Sequence, residues 1–518
     1  MSKLFSCSLI AGFLAVSSFF VACGDDSSSG ADETEITGDE GNTGDPTGEV
    51  VDPNQNPVDP NSQIPVDPNA DQPVTNPDQQ QTVDPVTNTD PVTPTSSTTT
   101  GTAANASALP TNANAKAAQD MFTTWKARWI ISLKDEINGG STLDYDMYQG
   151  SRAKELLTQK MGKFYDNPLR VIWDGGNSTN CELTDMTTWG SVSFTAALRK
   201  KLGCTVSEGI GYGMLIALFH GDKDLFDGLW AYNIIARDNN NNGLMPWELQ
   251  SFSRTVSTAA ALDADLDVAT ALILASYKWS DDRYKTDAIE LINAILKKGI
   301  NMENLLIRPG DTWSNKDVYN LSYFSPVALR LFNQMVPGAG WDAVLVANYT
   351  YMAGVQAAGA IPLFPDWSNA AGQPTDPKNG SAASSYMLFD KESVRVPWRM
   401  AWDNYWYQSA ESKNILTAMS GFINDYTGGD ASKIPSNSFN YSTGELSTSQ
   451  IVGQHYTGAY CLMGMGANPT WLNSCYKTFS TSAASYSPVG YTGTYFKEIL
   501  MLMYSTLMNG MFEKPAGI

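Results

Sequence analysis

Acidic side chains fall into three clusters whose spacing could support proton transfer. The first is Glu208, within Thr205-Val206-Ser207-Glu208-Gly209-Ile210-Gly211-Tyr212-Gly213-Met214, ahead of the apolar run Met214 to Phe219. A capping role for Ser207 puts Glu208 in the first turn of a helix, where its carboxylate can be aimed into a cleft. Glycine at every second position disfavours a helix by roughly 1 kcal/mol each relative to alanine. Three of them here predict close backbone approach, to a neighbouring helix or to a ligand. The second cluster is Asp263, Asp265 and Asp267 at the start of a helical pattern that runs to Trp279. Asp263 and Asp267 are four apart and share a face, whereas Asp265 points elsewhere. Three acids in one apolar segment need partners, because an unpaired buried carboxylate is costly. The third cluster supplies such partners: Asp390 and Glu392 lie beside Arg395 and Arg399, whose forked guanidiniums can fix carboxylates in place.

Other chemistries are missing. The chain has 2 histidines, His220 and His455, far apart in sequence. No Cys/His spacing suits zinc, and no nucleophile elbow, P-loop or dinucleotide fingerprint is present. Asp238 to Gly243 resembles the first half of a calcium loop, but its distal acid, Glu248, falls one position early, so a polar turn is expected. What remains is carboxylate acid–base chemistry with no metal and no organic cofactor. It is set among 14 Trp and 23 Tyr. Aromatic rings stack on the apolar faces of sugars, so an exported chain of this kind points to polysaccharide.

The elements that position these residues occupy only part of the 518 residues. Residues 1–22 read as a signal peptide of lipoprotein type: Lys3, an apolar stretch from Leu9 to Val21, then Ala22 before Cys23 as the lipidated residue. Residues 23–111 read as a disordered acidic tether rich in Pro, Asp and Thr, with the short repeat Val51-Asp52-Pro53-Asn54, Val58-Asp59-Pro60-Asn61 and Val66-Asp67-Pro68-Asn69. The tether holds much of the acidity behind the net charge of −21, which argues against a nucleic-acid partner. Residues 112–518 form one domain. Its apolar residues recur at helical spacing: Phe122, Trp125, Trp129 and Leu133; Leu262, Leu266, Ala269, Ile273 and Tyr277; Leu291, Ile292, Ile295 and Leu296; Val327, Leu331 and Met335; Phe496, Leu500, Met503 and Leu507. Long polar connections such as Phe364 to Ser385 separate them, so the domain is all-α with loops that carry aromatic and acidic residues. Disulfides Cys181–Cys204 and Cys461–Cys475 are plausible in an exported chain.

Six motifs match a known family in order: TVSEGIGYGM (Thr205–Met214), GLMPW (Gly243–Trp247), ALDADLDVATALILASYKW (Ala261–Trp279), LSYFSP (Leu321–Pro326), PDW (Pro365–Trp367) and VRVPWRMAWDNYWY (Val394–Tyr407). Over nearly all of Asn112 to Pro515 the chain resembles glycoside hydrolase family 8. The resemblance implies an (α/α)6 barrel whose long loops form an open substrate groove, and inverting endo-hydrolysis of a β-1,4-linked polysaccharide. It makes Glu208 the general acid and Asp263 the acid that holds a distorted sugar, with Asp265 its companion. Trp247 and Tyr323 match sugar-contacting positions, Tyr212 and Trp367 are further sugar-contact residues, and Arg395 lies beside the general base. Where the family carries that base as Asp, three residues before the arginine, this chain has Glu392; Asp390 is one alternative, and a base in a loop elsewhere, as in one subgroup of the family, is another. The implied substrate is plant-type β-glucan or cellulose, with xylan next and chitosan open. A binding protein that keeps the fold without catalysis is the alternative of another class. The implied setting is an exported monomer that meets the membrane only through a lipid on Cys23, in the periplasm or at the cell surface.

Overall fold

The structure is a computed structural model that describes residues 104–138, 143–173, 203–240, 242–313, 315, 317–378, 384–451, 454–486 and 494–518. The signal segment, Cys23, nearly all of the tether and Cys181 lie outside the described residues. Twelve helices build the frame. They are α1 (Ala115–Trp129), α2 (Ser207–Phe219), α3 (Lys223–Asn239), α4 (Leu262–Trp279), α5 (Asp282–Gly299) and α6 (Pro326–Met335). The chain continues through α7 (Trp341–Ala358), α8 (Val396–Tyr407), α9 (Ala410–Thr427), α10 (Gln454–Leu462), α11 (Pro469–Ser485) and α12 (Tyr495–Met508).

Their composition sorts them into two layers. Helices α2, α4, α8 and α12 are buried on all sides over most of their length. A helix that is apolar all round must lie inside. Helices α1 and α5 instead bury one face, Phe122, Trp125 and Trp129 in α1, and Leu291, Ile292 and Ile295 in α5. The even-numbered helices pack in sequence, α2 on α4, α4 on α6, α6 on α8, α8 on α10, α10 on α12, and α12 back on α2. Each odd-numbered helix lies outside: α3 on α2, α5 on α4, α7 on α6, α9 on α8, α11 on α10, and α1 on α12. This closed double ring is the (α/α)6 barrel.

Two local expectations change. Helix α1 stops at Trp129, and Leu133 lies beyond it, because Ile130–Ser132 pairs antiparallel with Leu169–Val171. Leu133 is still buried. Ser207 is the first residue of α2 rather than its cap; Val206 occupies that place without a side-chain hydrogen bond. A ribbon sets the helix start instead. Thr205–Val206 pairs with Glu248–Gln250, and the Ser207 amide donates to the Trp247 carbonyl at 2.9 Å.

The glycines of α2 sit at close approaches, as expected. A methyl group on Gly211 would lie 3.0 Å from the Ala264 carbonyl and 3.1 Å from the Asp267 Cβ of α4. On Gly209 it would lie 2.8 Å from the Tyr495 hydroxyl. Cys461 and Cys475 form a disulfide between α10 and α11 with Cα atoms 5.1 Å apart. Cys204 is also disulfide-bonded. Asp238 lies in the last turn of α3 and pairs with Arg152 at 2.6 Å, and just beyond the helix Asn240 donates to the Leu244 carbonyl at 3.0 Å. Among the described residues no helix is long and apolar enough to cross a membrane.

Candidate active site

The three carboxylate clusters meet at one end of the inner ring. Glu208 is the second residue of α2, and Asp263 the second of α4. Arg395 closes a 3-10 turn, Ser393–Arg395, that runs straight into α8, and Glu392 precedes that turn. Asn320 and Tyr323 flank a short turn just before α6, and Tyr495 opens α12. Five inner-helix N-termini therefore converge here, each carrying a partial positive charge that favours carboxylates.

Arg395 is the hub. Its Nη1 donates to Glu208 Oε2 at 2.6 Å, to Asp263 Oδ2 at 3.0 Å and to the Tyr212 hydroxyl at 3.3 Å. Its Nη2 donates to Glu392 Oε2. The guanidinium also lies over the Tyr323 and Phe496 rings, 5.7 and 5.8 Å from their centres. Glu392 Oε2 accepts a second bond, from Asn320 Nδ2 at 2.6 Å, and Glu208 Oε1 accepts from the Tyr495 hydroxyl at 3.1 Å. Burial above all keeps the Tyr212 and Tyr495 hydroxyls well above the usual phenol range, so both stay donors. Burial likewise pushes the Asp263 carboxyl up, although Arg395 beside it pulls the other way. Of these side chains Glu208 is the most open, 17% exposed against 10% for Glu392 and 3% for Asp263.

The remaining expected residues divide. Asp390 Oδ1 accepts from the Ser438 hydroxyl at 3.2 Å. Asp265 is fully buried, and its Oδ1 accepts the Met245 amide at 3.1 Å, so it holds the Gly243–Trp247 segment from beneath rather than facing the cluster. Trp247 is partly exposed and meets Trp173 edge-on at 6.2 Å. Tyr323 and Trp367 stand 6.4 Å apart, and Trp367, only 6% exposed, is stacked beneath Trp313 at 5.6 Å. The half-buried Trp313 is held by a bond from its Nε1 to the Pro377 carbonyl at 2.9 Å. A row of rings thus leads outward from Arg395 through Tyr323 and Trp367 to Trp313. Trp313, Asn320 and Tyr495 were missed in the sequence. Asn320 directly precedes the LSYFSP motif, and that adjacency was the available signal. His220 closes the far end of α2, about 20 Å along the helix. It stacks on Phe122, bonds Gln119 and Thr506, and burial lowers its pKa to about 4.

The family model "Glycosyl hydrolases family 8" matches residues 184–507, well over half of the chain. The chain belongs to glycosyl hydrolase family 8. Among curated relatives, Endoglucanase 2 of Ruminiclostridium josui is 33% identical over 316 residues, 60% of this chain and 64% of that protein. Endoglucanase C of Ruminiclostridium cellulolyticum is 36% identical over 226 residues, 42% of this chain and 47% of that protein. The matched region thus spans between about half and two thirds of these relatives. Among solved structures, an apo β-1,3-1,4-glucanase from Paenibacillus sp. X4 matches with a TM-score of 0.58 at 21% identity, covering 80% of this chain and 97% of that one. A reducing-end xylose-releasing exo-oligoxylanase matches with a TM-score of 0.53 at 18% identity, covering 71% and 93%. At those identities the likeness speaks to the fold alone, and it agrees with the double ring described above.

Proposed function

We propose that this protein is an endo-acting glycoside hydrolase that cleaves β-1,4-linked glucan with inversion at the anomeric carbon. The observation that carries the reading is the single Arg395 guanidinium holding Glu208, Asp263 and Glu392, brought from three different inner-helix termini. Glu208 gives its proton to the glycosidic oxygen as the bond from that oxygen to the anomeric carbon breaks. Glu392 takes a proton from the water that attacks the same carbon from the opposite face. The products carry the added water, Glu208 is left ionised and Glu392 protonated, and exchange with solvent resets both. Inverting pairs stand roughly 6.5–9.5 Å apart with the attacking water between them. Asp263 accepts from a sugar hydroxyl and favours the distorted ring. Trp247, Tyr323 and the Trp367–Trp313 stack are the sugar platforms.

Glu392 is preferred to Asp390 because Asn320 and Arg395 turn its carboxylate toward Glu208. Glucan is preferred because the similar curated relatives are named endoglucanases.

Glu208→Gln tests the acid. Turnover is expected to fall at least about 100-fold, the lower end of general-acid contributions, with oligosaccharide binding kept; near-normal turnover removes Glu208 from the role. Proton NMR of the first product reads the anomer, and retention refutes inversion. Soluble cellulose derivatives, mixed-linkage glucan, xylan and chitosan, each assayed for reducing ends with product sizing, read the substrate. Faster release from xylan reassigns it, and binding without product supports the binding-protein alternative.

A further inference from the structure

Glu392 occupies the N-cap position of the turn Ser393–Arg395, yet makes no side-chain cap bond there. An acidic cap ordinarily turns its carboxylate back onto the amides that follow, because those N–H groups have no partner inside the turn. A base that did so would be spent on its own backbone. Here another carboxylate does the capping. Asp366, only 2% exposed, accepts on Oδ1 from the amides of Asp390 at 3.1 Å, Glu392 at 3.2 Å and Ser393 at 2.9 Å, and from the Ser393 hydroxyl at 2.8 Å. Ser393 Oγ in turn accepts from the Asp390 amide at 3.1 Å.

We propose that Asp366 is a positioning residue: it caps the Asp390–Ser393 turn from outside and so leaves the Glu392 carboxylate free to point at Arg395 and the attacking water. The proposal rests on reading Glu392 as the base. Asp366 belongs to a connection 26 residues before Glu392 in sequence, and the next residue, Trp367, carries a ring of the aromatic row. One dipeptide therefore ties the sugar platform to the base. Burial first, then the charges of Asp390 and Glu392, pushes the Asp366 carboxyl well above the usual range. Asparagine keeps an oxygen acceptor at the same place without a charge.

The test compares Asp366→Ala, Asp366→Asn and Ser393→Ala on one soluble glucan, with thermal unfolding of each variant as a check on folding. Asp366→Ala is expected to lower kcat by about 100-fold or more, the scale of a displaced general base, with KM changed by less than about threefold. Asp366→Asn is expected to recover kcat to within a few-fold of wild type. Ser393→Ala, which removes one of the four donors, is expected to lower kcat by about fivefold, the scale of one hydrogen bond, and keeps the question open to measurement if Asp366→Ala does not fold. Wild-type kcat in Asp366→Ala overturns the proposal, as does wild-type kcat in Ser393→Ala should Asp366→Ala not fold, an Asn variant as impaired as the Ala variant, or a loss confined to KM. If Glu208→Gln and Glu392→Gln both keep wild-type turnover, it is the underlying hydrolase reading that fails.

Discussion

Asp265 shows how one residue's surroundings override its type. It is fully buried, one oxygen accepts the Met245 amide, and the other has no hydrogen-bond partner among the described residues. Burial pushes its carboxyl up to about 8; Arg237 opposes that rise, while Asp311 and Asp263 add to it. In the unfolded chain the ordinary value is about 3.9. Between those values the folded state binds the extra proton, so the stability this group contributes is present below about pH 4 and lost as pH rises through about 8. Asp265→Asn keeps the acceptor for Met245 and removes the titration. Across that window its unfolding free energy is expected to fall less steeply than wild type, by about 1 kcal/mol per pH unit. Urea unfolding at three pH values reads this, and equal slopes would sink the idea. The local pattern already placed Asp265 off the face shared by Asp263 and Asp267. That its face met the Gly243–Trp247 segment rather than a sugar was not readable, because the segment arrives from 20 residues earlier.

At the scale of elements, the start of α2 decides where Glu208 points. The alternating glycines announced close packing, but their partners differ in kind. Gly211 faces backbone of α4, the Ala264 carbonyl, whereas Gly213 faces the ends of Leu229 and Val171 side chains at 2.9 and 3.0 Å. Side-chain ends can swing aside; a helix backbone moves only as a whole. Gly211→Ala is therefore expected to lose about 1–2 kcal/mol more stability than Gly213→Ala, the same substitution in the same helix. Chemical denaturation of the pair measures the difference, and equal stabilities would mean that α2 and α4 are not in tight backbone contact. The misread cap belongs to this scale too. Ser207 has the right side chain for a cap, but its amide is already taken by the Trp247 carbonyl, a long-range bond that no local rule contains.

The helical domain is a ring tied across its interior. Asp267 of α4 and Arg399 of α8 form a forked ion pair, although α6 lies between those helices in the ring. Both side chains are buried, and the Arg399 guanidinium sits 4.0 Å from the centre of the Trp398 ring. Trp398 in turn stacks on the buried Trp402 of the same helix, so aromatic surface covers that side of the ion pair. Removing one partner strands the other charge. Asp267→Asn is expected to lose about 3–5 kcal/mol, and the double variant Asp267→Leu with Arg399→Met to recover part of that loss. Urea unfolding of both variants checks it; an Asp267→Asn protein as stable as wild type would show that the pair does not hold the barrel together.

Residue types and their periodicity were enough for the helical class and for the three acidic clusters. Each of these depends on neighbours a few turns apart, where the 3.6-residue repeat acts directly. The six motifs in order were enough for the family. Only the folded ring decided that Arg395 would hold Glu208, Asp263 and Glu392 at once, that Trp313 would cover Trp367, and that Asp366 would cap the turn beside Glu392. Apart from the Arg395–Glu392 contact, those contacts join residues 26 to 187 positions apart. They exist because the inner helices close on one another, and no local spacing encodes which termini that closure brings face to face.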